Sequence, residues 1–162
     1  MNIDIRPARS AADLDAIRTL LRTYESEIGF DLCFQGFADE LACLPGDYAP
    51  PSGRLLCAES DGRIVGCVAL RALDDERCEM KRLYVVPSYR GGRLGYLLVG
   101  RILDEARKAG YRWMLLDTAP GMEKAQALYE LFGFRDVPAY THNPIPGVRF
   151  MAAPLAAGRP PD

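Results

Sequence analysis

Glu79-Met80-Lys81-Arg82-Leu83-Tyr84-Val85-Val86-Pro87-Ser88-Tyr89-Arg90-Gly91-Gly92-Arg93-Leu94-Gly95 is the stretch that decides the reading of this chain. Glu79 to Val86 reads as a strand broken at Pro87. Leu94, Leu98, Ile102 and Ala106 then recur at helical steps until Gly110 stops them. Between strand and helix, Gly91 and Gly92 allow a tight turn and leave backbone N–H groups open to a ligand. Those groups sit at a helix N-terminus, which favours an anion, most often a phosphate. From Lys81 to Arg101 there are five basic residues and no acidic one, in a chain whose formal net charge is −2. A positive island at a helix start predicts a phosphorylated ligand. The plainer alternative is a connecting turn beside a solvated basic face.

Working outward, Ile3 and Ile5 alternate with polar neighbours, a short strand ended by Pro7. Ser10-Ala11-Ala12-Asp13 has capping-box spacing. Behind it Leu14, Ile17, Leu20, Leu21, Tyr24 and Ile28 form one helix face, closed by Gly29. Phe34 to Leu44 reads as a second short helix, followed by a loop through Gly53 that contains three prolines. Arg54 to Glu59 and Ile64 to Arg71 are strands joined by Asp61-Gly62, a strong hairpin signal. Trp113 to Leu116 is a short strand, and Met122, Ala125, Leu128 and Phe132 mark a helix that Gly133 ends. Val148 to Leu155 supplies a last strand, and Gly158 to Asp162 reads as a frayed tail. The order predicts an α/β layer fold with a mixed sheet, in one domain over residues 1–162.

Composition excludes several classes. With 49% hydrophobic and 26% charged residues the chain is an ordinary globular one. No apolar run reaches the roughly 20 residues of a membrane span, and the N-terminus lacks the layout of a signal peptide. Five cysteines at irregular spacings (Cys33, Cys43, Cys57, Cys67, Cys78) and the single His142 argue against zinc and against a disulfide framework. Reduced thiols in a cytoplasmic protein with no metal are the expectation. A short basic island in an acidic chain argues against nucleic acid. The phosphate loop ending in Gly-Lys-Ser/Thr is absent, and Gly91-Gly92-Arg93-Leu94-Gly95 has the wrong spacing for a dinucleotide fingerprint.

Arg90-Gly91-Gly92-Arg93-Leu94-Gly95 resembles the pyrophosphate-binding turn of the GNAT superfamily of acyl-coenzyme-A-dependent N-acyltransferases. Ala125-Gln126-Ala127-Leu128-Tyr129-Glu130-Leu131-Phe132-Gly133-Phe134 is similar to a second block of that family, Ala-x-x-Leu-Tyr-x-x-x-Gly-Phe. The blocks stand in the family's order, and the resemblance covers about two thirds of the chain, most securely Arg54 to Phe134. Two departures accompany it. Arg93 replaces the middle glycine of the turn, and Met122 stands where the family often has asparagine.

The resemblance implies a GNAT-like, mostly antiparallel sheet of six or seven strands flanked by about four helices. It implies an acetyltransferase that moves an acetyl group from acetyl-CoA to a primary amine of a small molecule, directly in a ternary complex. Backbone groups of Leu83, Tyr84 and Val85 would pair with the pantetheine arm, with Thr118 compensating for Met122. Arg90, Gly91, Gly92, Arg93, Leu94, Gly95 and Tyr96 would hold the pyrophosphate. Tyr129 would be the general acid for the departing thiolate, a role that suits a phenol proton. Glu79 is the first candidate for the base, and Asp117 or water the next. Tyr24, Phe34, Gln35, Asp117, His142 and Asn143 are the candidates for the acceptor wall. Homodimers are common among similar proteins. Three other readings stand beside this one: a non-catalytic acyl-CoA sensor, acetylation of a protein amine, and a phosphate-ligand or nucleotide-binding module unrelated to acyl transfer.

Overall fold

The computed structural model describes residues 2–29 and 36–155. Seven strands form one sheet: β1 Ile3–Pro7, β2 Arg54–Ser60, β3 Arg63–Ala72, β4 Arg77–Val85, β5 Trp113–Thr118, β6 Arg135–Asp136 and β7 Arg149–Pro154. Their order is β1-β2-β3-β4-β5-β7-β6. Every pairing is antiparallel except β4 with β5, which is parallel. Among the described residues four α-helices flank it: α1 Ala11–Ile28, α2 Phe37–Ala42, α3 Leu94–Lys108 and α4 Glu123–Leu131. Among the described residues no helix is long and apolar enough to cross a membrane.

The local signals explain the elements. Ser10 Oγ accepts the Asp13 N–H at 3.1 Å while the Asp13 carboxylate accepts the Ser10 N–H at 3.2 Å, so the capping box starts α1. Gly29, with φ 73°, ends it in the left-handed conformation. Asp61 and Gly62 both carry positive φ, as a two-residue type I′ hairpin requires.

Side chains of β2 alternate between two cores. Leu56 and Ala58 join the cluster that contains α3 and Phe134, while Leu55 and Cys57 join the one that contains α1 and α2. Both faces of the sheet are therefore covered. The second predicted helix begins at Phe37; Phe34 and Gln35 lie outside the described residues. Cys57, Cys67 and Cys78 are buried free thiols, and burial raises them to about 11, about 12 and about 12.

The pairing of β3 with β4 is irregular at one point. Cys67 faces Tyr84 but Ala69 faces Lys81, so β4 spends one residue more than β3 across that interval. Arg82, with φ 63°, occupies the bulge. Alternation changes phase there. Cys78 and Met80 face the α3 core before it, and Leu83 and Val85 face that core after it. Lys81 and Arg82 consequently turn toward the same side, where Arg82 lies 4.8 Å from the Phe37 ring centroid.

Candidate active site

β4 and β5 pair only through Arg77–Glu79 and Trp113–Leu115, and beyond that point they separate. The Val86 N–H donates to the Val65 carbonyl at 3.0 Å. Backbone groups alternate sides along a strand, so Tyr84 faces β3 while Leu83 and Val85 turn their backbone groups toward the opening. That leaves a sheet edge at Leu83 and the Val85 N–H where an extended ligand can pair, while the Val85 carbonyl accepts from Arg90.

At the far end of the opening the chain turns through Pro87–Tyr89, tied to β2 by the Tyr89 hydroxyl, 3.0 Å from Ser60 Oγ. Gly91 adopts φ 81°, and a Cβ there would strain the backbone rather than meet a neighbour. The first turn of α3 has no side-chain cap and no acidic residue. Its N–H groups are left to an anion. A cleft of about 780 Å³ joins this turn to the edge of β4, and its other lining is the β5–α4 connection, Ala119 to Met122, with the first turn of α4. Arg93 is exposed and lies 5.7 Å from the Tyr96 ring centroid, so the residue that replaces the expected glycine points along the surface. Arg90 is held at both ends of its guanidinium: Nε donates to the Val85 carbonyl at 2.7 Å and a terminal nitrogen to Glu27 at 2.7 Å. Glu27 also accepts the Tyr84 hydroxyl, which burial and that carboxylate push up to about 12.

Where the strands part, a cavity of about 100 Å³ is lined by Leu83, Asp117, Thr118, Met122, Tyr129 and Asn143 among others. Tyr129 is 8% exposed, its ring edge-on to Phe134 with centroids 5.8 Å apart. Its hydroxyl makes no hydrogen bond among the described residues, and no fully buried side-chain polar atom among them lacks a partner. The hydroxyl therefore opens into the cavity. Burial raises its pKa well above the ordinary phenol value.

The model of the GNAT acetyltransferase family matches residues 14–134, which span both the glycine turn and Tyr129. The chain belongs to that family. An uncharacterized N-acetyltransferase of Schizosaccharomyces pombe is 44% identical over 93% of each chain. An IAA acetyltransferase of Azospirillum brasilense is 43% identical over 66% of this chain and 71% of its own length. Among solved structures, an acetyltransferase of Streptococcus agalactiae superposes with a TM-score of 0.80 at 21% identity, covering 94% of this chain and 98% of that one. The PaiA N-acetyltransferase of Thermoplasma acidophilum, solved in complex with coenzyme A, gives 0.74 at 18% identity, covering 95% and 99%. At those identities the structural likeness is one of fold.

On the other side of the parting strands this GNAT protein carries a second pocket, of about 180 Å³. Glu40 from α2, Arg71 from β3, Glu79, Lys81 and Arg82 from β4, Asp117 from β5, and Thr141 and His142 line it. Glu79 is 1% exposed and accepts from Arg71 Nε at 2.9 Å and from the Tyr140 hydroxyl. Arg82 forms a two-pronged pair with Glu40 at 2.7 and 2.8 Å, which lowers the Glu40 carboxyl against its desolvation. Asp117 accepts the Asn143 amide at 2.9 Å and lies 4.0 Å from Lys81 Nζ, whose pKa burial lowers. Glu79 and Tyr129 border different cavities, whereas Lys81, Arg82 and Asp117 border both.

The sequence-predicted residues thus divide. Leu83, Val85, Gly91, Gly92, Gly95 and Tyr96 line the cleft, and Leu83, Thr118 and Tyr129 line the small cavity beside it. The Leu94 side chain belongs to the core, leaving only its backbone to the turn. Tyr24 borders both the cleft and the small cavity, with its ring 6.0 Å from that of Tyr84. Asn143 is spent on Asp117, and His142 is an exposed residue at the second pocket. Sequence reading missed Arg71, Arg82, Glu40 and Glu27. They come from four elements, and a charged residue in a strand or helix gives no local sign of a distant partner. Among the described residues, no group of His, Cys, Asp and Glu could hold a metal.

Proposed function

We propose that this protein transfers the acetyl group of acetyl-CoA to a primary amine of a small molecule, in a ternary complex inside the opening between β4 and β5. The observation that carries the reading is that the cleft and the small cavity are neighbours, sharing Tyr24, Leu83, Ala119, Met122 and Ala125 as walls. The cleft holds an uncapped helix start with no acid and follows the β4 edge, and the cavity beside it holds a tyrosine hydroxyl. A pyrophosphate suits the first, an extended amide-bearing arm the second, and a departing thiolate the third.

In this reading the amine enters from the second pocket. A neutral amine attacks the thioester carbonyl, a C–N bond forms, and the C–S bond breaks. Tyr129 gives its proton to the leaving sulfur. The proton released by the amine passes to Asp117, directly or through water, because Asp117 borders both cavities. Glu79, engaged by Arg71 and Tyr140 and away from Tyr129, serves this arrangement better as an anchor than as the base. A pocket of about 180 Å³ favours a small acceptor over a protein tail. The test is thiol release from acetyl-CoA with a panel of small amines. Amine-dependent release with a matching acetylated product supports the proposal. Tight acetyl-CoA binding with no amine acetylated would replace it with a sensing module.

A further inference from the structure

Arg71 is a residue of the second pocket with donors left unused among the described residues. It is 36% exposed and uses only Nε, 2.9 Å from Glu79. Its two terminal nitrogens make no hydrogen bond among the described residues. Those nitrogens form the end-on face of a guanidinium, a fork matched to a carboxylate. Glu79 cannot swing away, because it is fully buried and also accepts the Tyr140 hydroxyl. The fork is therefore held in place and points to solvent inside a pocket.

The surrounding charges decide what suits it. The carboxylates of the pocket are already engaged: Glu40 by Arg82, Glu79 by Arg71, and Asp117 by Asn143 with Lys81 nearby. A polyamine would add positive charge beside three cationic side chains whose counter-charges are committed. A group carrying one negative charge would complete the Arg71 fork. The other end of the same pocket, at Lys81, Arg82 and Asp117, is shared with the cavity that contains Tyr129. An acceptor whose carboxylate sits on Arg71 thus lies in a pocket that shares walls with the cavity of Tyr129.

We propose that the acceptor is an amine that also bears a carboxylate, of amino-acid type, and that Arg71 determines this specificity by pairing with the carboxylate while Glu79 positions Arg71. The inference rests on the acetyl-transfer reading above. Charge-assisted pairing of this kind gives a preference of about 10- to 100-fold.

The experiment compares kcat/KM for amino acids with that for their carboxylate-free counterparts: alanine with ethylamine, leucine with isopentylamine, phenylalanine with phenethylamine, tryptophan with tryptamine. The wild type is expected to prefer the carboxylate-bearing member of at least one pair by 10-fold or more. In Arg71→Gln that preference falls below about 3-fold through a higher KM for the amino acid. Arg71→Lys, which keeps the charge and loses the fork, falls between. Calorimetric binding of acetyl-CoA reports that each variant is folded. Equal or better use of the carboxylate-free amines by the wild type overturns this inference and leaves acetyl transfer standing, as does a preference that Arg71→Gln keeps. Failure to acetylate any amine of either kind overturns both.

Discussion

In the proposed reaction Tyr129 is the general acid, a group that has to keep its proton until the transition state demands it, and burial favours that form. The charged phenolate is disfavoured at a residue 8% exposed, so its pKa moves up from the ordinary value of about 10. The active form is the protonated one, and raising its pKa extends that form to higher pH. We predict that kcat rises as the amine loses its proton and shows no fall through about pH 10, where an unperturbed phenol would be half ionised. A kcat profile measured from pH 7 to 10.5 checks this, and a descending limb near pH 9 would count against Tyr129 as the acid. Tyr129 was singled out in the sequence because it sits inside a ten-residue block similar to a block of the family, and the structure places it at the small cavity. Arg71 was not legible, since its partner Glu79 reaches it only through sheet pairing, and Tyr140 comes from a loop 69 residues away in the chain.

Among elements, two turns bear the most. The turn before α3 depends on Gly91, whose φ of 81° is costly for a β-branched residue. Gly91→Val is expected to weaken acetyl-CoA binding by 10-fold or more, by closing the turn differently. The melting temperature should fall by only a few degrees, since the residue packs against nothing. Isothermal titration and thermal melts separate the two effects. The start of α1 is the other. Asp13 caps the helix, accepts the Arg9 N–H at 2.9 Å, and pairs with Arg6 at 2.8 Å, which together hold its carboxyl well below the ordinary range. A depressed carboxyl stabilises the fold fully above its unfolded value, near 4, and that contribution declines as pH falls from there through the lower folded-state value. Asp13→Ala is expected to cost about 1–2 kcal/mol at pH 7, the value of a lost cap and a charge-assisted bond. The difference from wild type should shrink by pH 2.5, as urea melts at the two pH values would show. The bulge at Arg82 had no such signal. Arginine rarely takes positive φ, and Lys81-Arg82-Leu83 breaks the alternation without a glycine to mark why.

For the whole molecule, the sheet order is the device that makes a site. Placing the single parallel pair in the middle of an otherwise antiparallel sheet brings two strands together over three residues and then lets them part. Helices on both faces close the walls, leaving one cavity beside the cleft and another pocket lined by Glu40, Arg71 and Glu79. Much of this was legible: the hairpin at Asp61-Gly62, the caps of α1 and the strand–turn–helix around Gly91 all read directly from local chemistry. The insertion of β7 between β5 and β6 was not, because β6 is two residues long and long-range pairing leaves no local periodicity. Acid catalysis at the parting strands is tested most sharply by steady-state acetyl transfer in Tyr129→Phe beside the wild type, with acetyl-CoA binding measured on both. Binding should be unchanged, and kcat should fall by about 10²- to 10⁴-fold, the usual worth of a positioned acid. An unchanged kcat would contradict the role of Tyr129.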